Sequence, residues 1–315
     1  MSGHPTPVIS VVIPSYNHGR FLRETLDSVG TPDRATEIVV VDDGSQDDTS
    51  EVATSWAEAH PGLAEVRVVH QPNSGLAAAR NLGLRTSLGR YVVFLDADDR
   101  LARGALNIGA AALDRHPDCA FVFGRCLMMA AGGTLLPTPS QPPIDRDHYR
   151  ELLRKNYIWM PAMAMFRRTA LEQAGGFDTR VNASADYDMY LRIARVAPIH
   201  DHAEVVAHYR QHGENMSRNA SRMLHETLAV LRRQRTFIEG DAASRAAYVE
   251  GWRAWQDFYG THLVNEIRGH VASGQWMAAG RKTLTLARYH PRGLGQHARR
   301  KMRVRLSGRS SHPRP

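Results

Sequence analysis

Several features that would assign this chain to a particular class of protein are scarce. Cysteine occurs only at Cys119 and Cys126, without the His or Cys spacing of a metal site, which argues against a disulfide framework or a zinc finger. Both lie in an apolar stretch, so we expect them to be buried and reduced. The longest apolar candidate, WMPAMAMF, is far shorter than the roughly 18 residues that a membrane-spanning helix needs.

Acidic residues are missing from the end of the chain. The net charge is +8 over 315 residues, yet the last acid is Glu266. Residues 267–315 carry twelve Lys and Arg, whereas residues 1–266 carry 28 basic and 32 acidic residues. Such a basic region suits an anionic membrane surface, nucleic acid, an acidic partner, or solubility alone. Aromatic side chains that would stack on bases are nearly absent there, so we expect no nucleic-acid partner.

The N-terminal residues also lack a targeting pattern. MSGHPTPVIS has neither the basic start nor the apolar run of a secretory signal. Hydrophobic residues make up 43% and charged residues 23%, which is typical of an ordinary globular protein. We therefore expect a cytoplasmic protein, and the basic end of the chain leaves open a peripheral position at the inner face of the cell membrane.

Four short apolar runs predict a β-sheet. They are VISVVIP (8–14), EIVVVDD (37–43), EVRVVHQ (65–71) and RYVVFLDAD (90–98). Each is rich in Val, the first two also contain Ile, and there is little alternation, which indicates strands buried on both faces of a parallel sheet. The segments between and after them predict helices at 19–30, 47–59, 75–86 and 103–115, before a fifth strand at 119–124. The order predicts an α/β doubly wound, mostly parallel sheet flanked by helices.

Aspartates follow two of these predicted strands. Asp42 and Asp43 end the second, and Asp96 and Asp98 end the fourth. Ligands of open α/β sheets bind outside the carboxyl ends of the strands, so we expect these acids to meet at one edge. Four carboxylates would form a hard oxygen site, suited to Mg²⁺ or Mn²⁺ rather than zinc.

The same stretches, in order and spacing, resemble glycosyltransferase family 2, whose members have the GT-A fold. The nucleotide-sugar-binding half of that family is similar to VVIPSYNHGRFLRETLDSV, IVVVDDGSQDDT, NSGLAAARNLGL and RYVVFLDADD. Its acceptor half is similar to GGFD (175–178), ADYDMYLR (185–192) and YRQHGENMS (209–217). The resemblance covers roughly residues 8–217, about two thirds of the chain.

The resemblance implies a domain organisation. We expect a GT-A catalytic domain over 1–218, with a nucleotide-sugar-binding half at 8–124 and an acceptor half at 125–218. The basic region lies outside the match. Helical patterns such as SRMLHETLAVLRRQRTFI predict a helical C-terminal extension over 219–306, followed by a disordered tail over 307–315.

The resemblance also implies an activity, the inverting transfer of a sugar from a nucleoside-diphosphate sugar to an acceptor hydroxyl. A divalent metal cofactor, Mn²⁺ or Mg²⁺, would neutralise the charge that builds on the leaving diphosphate. Asp98, in the D-x-D pair with Asp96, matches the family's metal ligand. His212 matches a histidine that approaches the metal or the diphosphate. The implied acceptor is a glycan or a lipid-linked acceptor of cell-envelope or surface polysaccharide synthesis.

Eight positions match the nucleotide-sugar site of the family. Asp43 resembles the residue that accepts a hydrogen bond from the base, Arg80 a residue that contacts the nucleotide or its phosphates, and Asp96 a ribose ligand. The full set is Pro14, Tyr16, Asn17, Asp43, Asn73, Gly75, Arg80 and Asp96.

The acceptor hydroxyl must lose a proton, and Asp186 matches the family's catalytic base. Ala185 stands where the family commonly has Glu, so a second carboxylate that often orients the acceptor is missing. Asp188 and Arg192 have the i, i+4 spacing of a helical ion pair, which we expect to stiffen this helix.

Other functions remain as alternatives. A dehydrogenase would have G-x-G-x-x-G after the first strand, where this chain has PSYNHG. A sugar nucleotidyltransferase would have a Gly-rich, basic phosphate loop at the same place. A non-catalytic module that binds nucleotide sugars has the same sequence pattern, and measuring donor hydrolysis would separate it from an enzyme.

Overall fold

The computed structural model describes residues 6–61, 65–145 and 147–290. The chain divides into two compact units between Asn215 and Met216. The predicted tail at 307–315, and the predicted helical extension beyond residue 290, lie outside the described residues.

The first unit is built on an eight-stranded sheet in the order β3-β2-β1-β4-β7-β6-β8-β5. Its strands are Ile9–Ser15 (β1), Thr36–Asp42 (β2), Glu65–His70 (β3), Tyr91–Phe94 (β4), Arg100–Leu101 (β5), Phe121–Ala130 (β6), Ala164–Arg167 (β7) and Ile199–Gln211 (β8). β1 pairs in parallel with β2 and β4, β2 with β3, and β6 with β8. β7 runs antiparallel to β4 and β6, and β5 antiparallel to β8. The predicted mostly parallel α/β sheet is confirmed.

Helices connect and cover these strands. They are Gly19–Val29 (α1), Thr49–Ala59 (α2), Leu76–Thr86 (α3), Ala105–Arg115 (α4), His148–Arg154 (α5), Arg168–Gln173 (α6) and Ala185–Ala194 (α7). The four helices predicted within the first 115 residues are all present. Cys119 and Cys126 are buried and unbonded, as expected from their apolar surroundings.

One strand differs from the prediction. All residues of β1 and β2 are buried, but each residue of β3 is exposed or half-buried. β3 lies at the edge of the sheet and pairs with β2 alone. The prediction that each of the first four strands is buried on both faces is therefore wrong for β3, because Val-rich composition does not distinguish an edge strand from a central one.

The second unit contains three α-helices within its described residues, Ala220–Arg233 (α8), Ala242–Ala272 (α9) and Trp276–Tyr289 (α10). The predicted helical character of this part of the chain is confirmed as far as residue 290. None of the described helices is both long enough and apolar enough to cross a bilayer.

Candidate active site

The parallel register places four loops at one edge of the first unit. Ser15, the last residue of β1, lies opposite Asp42 of β2, which in turn lies opposite His70 of β3. β4 runs parallel to β1 on its other side. The loops that follow these four strands therefore begin side by side, and they carry most of the residues predicted to bind a nucleotide sugar.

The loop after β1 is fixed to the loop after β2. Asn17 adopts a left-handed backbone conformation with φ 55°. Its backbone N–H donates to Ser45 Oγ at 3.0 Å, and its side-chain Oδ1 accepts from the backbone N–H of Gln46 at 2.8 Å. The backbone N–H of Gly19 donates to Asp47 Oδ2 at 3.0 Å. These bonds hold the PSYN segment in one conformation. Two other predicted positions precede Asn17 in this segment. Pro14 is buried within β1, and Tyr16 is 42% exposed.

Asp43 holds the loop after β3. Its carboxylate accepts hydrogen bonds from Gln71 Nε2 at 2.6 Å and from the backbone N–H groups of Ser74 and Gly75 at 2.8 and 2.9 Å. Gly75 has φ 89°, a conformation that favours glycine, and immediately precedes α3. Asn73, in the same loop, is exposed. Asp43 is thus buried and bonded to protein donors, while its predicted contact with a nucleotide base remains a prediction.

One cluster of predicted site residues joins α3, the turn after β4, and α7. Arg80 is buried and donates to Asp96 Oδ1 at 2.7 Å, with its guanidinium carbon 5.4 Å from the centre of the Phe177 ring. Arg80 and Asp96 both act electrostatically on Asp186, in the first turn of α7. Three predicted site residues from distant parts of the sequence therefore meet around one guanidinium group.

The surroundings of Asp186 suit a proton acceptor. Burial raises the pKa of Asp186 to about 6, although Arg80 and the backbone N–H of Tyr187 act to lower it. That N–H donates to Asp186 Oδ1 at 2.8 Å. Asp186 as a whole residue is half-buried. A carboxylate with a pKa near 6 is ionised at neutral pH and is more basic than an ordinary aspartate.

Helix α7 is anchored through the ion pair predicted from its sequence. Arg192 Nε donates to Asp188 Oδ2 at 2.7 Å, which confirms the expected i, i+4 pair. Arg192 also donates to the backbone oxygens of Ala174 and Gly176, the second of them at 2.8 Å. These bonds fix the helix that carries Asp186 to the GGFD segment.

A second cluster contains potential metal ligands. Within the described ranges, His18, Asp98 and His212 each offer one ligand atom, and these atoms all lie within 4.8 Å of one another. His212 Nε2 lies 2.7 Å from Asp98 Oδ2. Burial acts to raise the pKa of Asp98, but the hydrogen bond with His212 and the imidazole of His18 hold it below its usual value. Two imidazoles and one carboxylate form a donor set that fits a divalent transition-metal ion.

The predicted four-carboxylate site is therefore wrong in its ligands. Asp42 accepts from the backbone N–H of Ser45 at 2.9 Å and lies 3.3 Å from His70 Nδ1. Asp43 is bonded to the loop after β3, and Asp96 to Arg80. Only Asp98 of the four acids belongs to the group that could share an ion. The carboxylates do reach one edge of the sheet, but three of them bind protein donors there.

The sequence did not reveal two residues that hold the cluster of His18, Asp98 and His212 in place. Arg210 of β8 is fully buried and its Nε donates to the backbone oxygen of Asp98 at 2.6 Å. Asn215 accepts from the backbone N–H of His212 at 2.5 Å and donates to the backbone oxygen of Arg210 at 2.8 Å. Arg210 thus ties the turn that carries Asp98 to the strand that leads to His212. Both residues lie in YRQHGEN, but their partners cannot be read from that segment alone.

Comparison with known proteins identifies a family and distant relatives. Residues 10–175 match the family described as glycosyl transferase family 2. Chondroitin synthase of Escherichia coli is 29% identical over 212 residues, which are 67% of this chain and 30% of that protein. Hyaluronan synthase of Pasteurella multocida is 25% identical over 213 residues, 67% of this chain and 21% of that protein. The chain thus matches about a third or less of the length of these relatives.

Two solved structures share the fold. Residues 1–349 of TarS from S. aureus superpose with a TM-score of 0.61 at 20% identity, covering 90% of this chain and 82% of that one. The mannosyltransferase PcManGT from Pyrobaculum calidifontis, in complex with GDP-Man and Mn²⁺, gives a TM-score of 0.62 at 24% identity, covering 91% and 82%.

Proposed function

Because the chain belongs to glycosyl transferase family 2, we propose that it is an inverting enzyme that moves a sugar from a nucleoside-diphosphate sugar to an acceptor hydroxyl. Its fold is of the GT-A type, followed by C-terminal helices. The observation that carries the proposal is that Arg80 interacts with two carboxylates: it forms an ion pair with Asp96 of the D-x-D turn, and it interacts electrostatically with Asp186. A base for the acceptor next to a turn for the donor diphosphate is the arrangement that sugar transfer requires.

The donor would bind at the edge formed by the loops after the parallel strands. In this proposal Tyr16 and Asn17 line the base pocket together with Pro14, and Asn73 and Gly75 form its far side. The bonds of Asn17 to Ser45 and Gln46 hold this loop in one conformation without a ligand. A loop that is already ordered loses less entropy when the nucleotide binds.

The diphosphate would lie against Asp98 and His212, which are proposed to hold a divalent cation. When bound, such an ion stabilises the negative charge that develops on the leaving phosphate oxygens. Mn²⁺ bound to the related mannosyltransferase structure supports this assignment. Arg80 is proposed to contribute by holding Asp96 in place for the donor ribose, because its guanidinium is buried and bonded to that carboxylate.

Asp186 is proposed to accept the proton of the acceptor hydroxyl as the oxygen attacks the anomeric carbon. Its raised pKa supports this role, since a more basic carboxylate accepts the proton of the hydroxyl more readily. Attack from the face opposite the diphosphate inverts the configuration of the anomeric carbon. The relatives named chondroitin synthase and hyaluronan synthase support a glycan acceptor, and we propose a role in cell-envelope or surface polysaccharide synthesis with a glycan or lipid-linked acceptor.

A thermal-shift screen followed by a hydrolysis assay tests this function. A donor that binds the native state should raise the melting temperature by an amount that grows with its concentration. UDP- and GDP-linked sugars with Mn²⁺ are the first panel, because UDP-GlcNAc and GDP-Man are bound in related structures. The stabilising donor is then incubated with the protein alone and with glycan acceptors. Stabilisation without release of nucleoside diphosphate would indicate a binding module, and no stabilisation by any nucleotide sugar would contradict the proposal.

We also propose that helix α10 holds the enzyme on an anionic membrane surface near its acceptor. Met277 and Leu284 are 84% and 72% exposed, and Trp276 is 67% exposed. Arg281 and Arg288 are exposed on the same helix and share the face of Met277 and Leu284, because the four lie at i, i+4, i+7 and i+11. On such a face the apolar side chains would enter the bilayer interface, and the arginines would contact anionic headgroups.

The membrane proposal predicts salt-dependent binding to liposomes. The full-length protein should co-sediment with anionic vesicles at low salt and be released at high salt, since each cation near the surface contributes about 1 kcal/mol. The double variant Met277→Ser/Leu284→Ser and the double variant Arg281→Gln/Arg288→Gln should each bind less. Val249→Ser, which removes an exposed apolar residue of α9, is the matched control. Unchanged binding by both double variants, or no binding by the wild type, would refute the role of α10.

A further inference from the structure

We propose that His18 is a third protein ligand of the cation that Asp98 and His212 hold, and that this ligand set selects Mn²⁺ over Mg²⁺. The proposal rests on the proposed function in its use of a divalent cation, but metal binding can be measured without sugar transfer. It starts from the cluster in which ligand atoms of all three residues lie within 4.8 Å of one another.

That spacing is close to what one ion requires. Two ligands that each lie about 2.1 Å from the same octahedral ion are about 3 to 4 Å apart. Closing the remaining gap requires the side chains of His18 and His212 to rotate. The rings already meet edge-on, with centroids 6.1 Å apart.

The backbone of His18 is held in place before any ion binds. Its N–H donates to Thr49 Oγ1 at 3.1 Å, and Thr49 is fully buried at the start of α2. Its carbonyl oxygen accepts from the N–H groups of Phe21 and Leu22 at 2.9 and 3.0 Å, which closes the first turn of α1. The backbone that carries the imidazole is therefore already ordered, so only side-chain entropy is lost when His18 becomes a ligand.

The segment that carries His212 is held against the same turn. Arg20, two residues after His18, forms an exposed ion pair with Glu214, two residues after His212. The ring of Phe21 packs against His212 with centroids 5.0 Å apart. Contacts on both sides of the two histidines therefore keep them facing each other.

The donor set determines which ion is preferred. Mg²⁺ takes oxygen ligands and keeps several waters, whereas imidazole nitrogen binds divalent transition metals more strongly, with Mn²⁺ the weakest of that series. The neighbouring carboxylates are engaged elsewhere, because Asp96 binds Arg80 and Asp99 accepts from the backbone N–H of Arg210 at 2.7 Å. With one carboxylate and two imidazoles, the site should discriminate against Mg²⁺ even without a nucleotide.

The test is a titration of the nucleotide-free, full-length protein with Mn²⁺, followed by electron paramagnetic resonance of the free ion and by competition with Mg²⁺. We expect the wild type to bind Mn²⁺ at least ~10-fold more tightly than Mg²⁺. His18→Ala should weaken Mn²⁺ binding at least ~10-fold, since even residues that only support a ligand contribute that much. His18→Asn offers an amide oxygen, so it should keep Mg²⁺ affinity within about threefold while losing the preference for Mn²⁺.

His60→Ala is the matched control, because His60 follows the end of α2 and does not belong to the cluster. Its Mn²⁺ affinity should equal that of the wild type. The hydrogen bonds of His18 to Thr49, Phe21 and Leu22 use backbone atoms, so both His18 variants retain them, and circular dichroism checks the fold.

Wild-type Mn²⁺ affinity in both His18 variants, or equal affinity of the wild type for Mn²⁺ and Mg²⁺, would overturn the inference. Sugar transfer accompanied by unchanged Mn²⁺ binding in the variants would refute the role of His18 alone. Weakened Mn²⁺ binding in a protein that transfers no sugar would support the ligand assignment and refute the proposed function.

Discussion

Replacing Asp98 with alanine is expected to reduce sugar transfer below detection and to weaken Mn²⁺-dependent binding of nucleoside diphosphates. Asp98 is the one carboxylate of the cluster with His18 and His212, so its loss leaves two neutral donors and no anionic ligand for the cation. Metal stabilisation of a leaving diphosphate supplies several kcal/mol, and each 1.36 kcal/mol changes the rate tenfold. The transfer rate should therefore fall by roughly 10³ or more.

The measurement combines initial rates with nucleoside-diphosphate binding, in the presence of Mn²⁺ and in excess EDTA. The wild type should lose transfer in EDTA, and Asp98→Ala should behave as the wild type does without metal. Asp33→Ala is the matched control, because Asp33 is an exposed aspartate in the segment before β2, at the opposite end of the parallel strands. Full activity of the wild type in excess EDTA would contradict the metal assignment.

The first half of the fold could be predicted because its signals are local. Runs of Val and Ile marked β1, β2 and β4, and the residues between them form helices at the predicted places. The aspartates at 42, 43, 96 and 98 predicted the edge of the sheet at which the candidate site lies. Strand composition does not indicate how many neighbours a strand has, which is why the exposure of β3 was not foreseen.

The second half of the sheet could not be predicted in the same way. β7 is only four residues long, and it lies between β4 and β6 with the opposite direction. β8 pairs along most of its length with β6, which is far away in the sequence, and the register shifts near Arg125. Such long-range pairings depend on tertiary packing, so a mixture of strand and helix signals is all that the sequence offers there.

The candidate site was predictable as a set of residues but not as a set of contacts. Asp98, His212, Arg80 and Asp186 were all identified through family patterns, and they do converge in two clusters. His18 lies next to the quoted PSYN segment, yet only the three-dimensional structure brings it to Asp98. The sequence could not show that Asp43 holds a loop or that Arg210 binds the backbone of Asp98, because both depend on partners that only the fold brings together.

Replacing Asp186 with asparagine is expected to lower kcat by about 10²–10⁴ while donor affinity stays within about threefold of the wild type. The amide oxygen of asparagine can still accept from the backbone N–H of Tyr187, so the shape of the site is retained. What is lost is the capacity to take a proton. An effect confined to kcat is what the removal of a general base produces, since the donor is bound by other residues.

The pH dependence of the wild type gives an independent measure of the same group. Burial raises the pKa of Asp186 to about 6, so the carboxylate is ionised at pH 7 and becomes protonated as the pH falls through 6. A protonated carboxyl cannot accept the hydroxyl proton, so kcat/KM should fall about tenfold per pH unit below that point. Asp186→Asn should lack this acidic limb, whereas the control Glu172→Gln, at an exposed position of α6, should keep both the limb and the rate. A collapse of donor affinity in Asp186→Asn would place Asp186 in the donor site. An unchanged acidic limb would show that a different group titrates and that a different base is required.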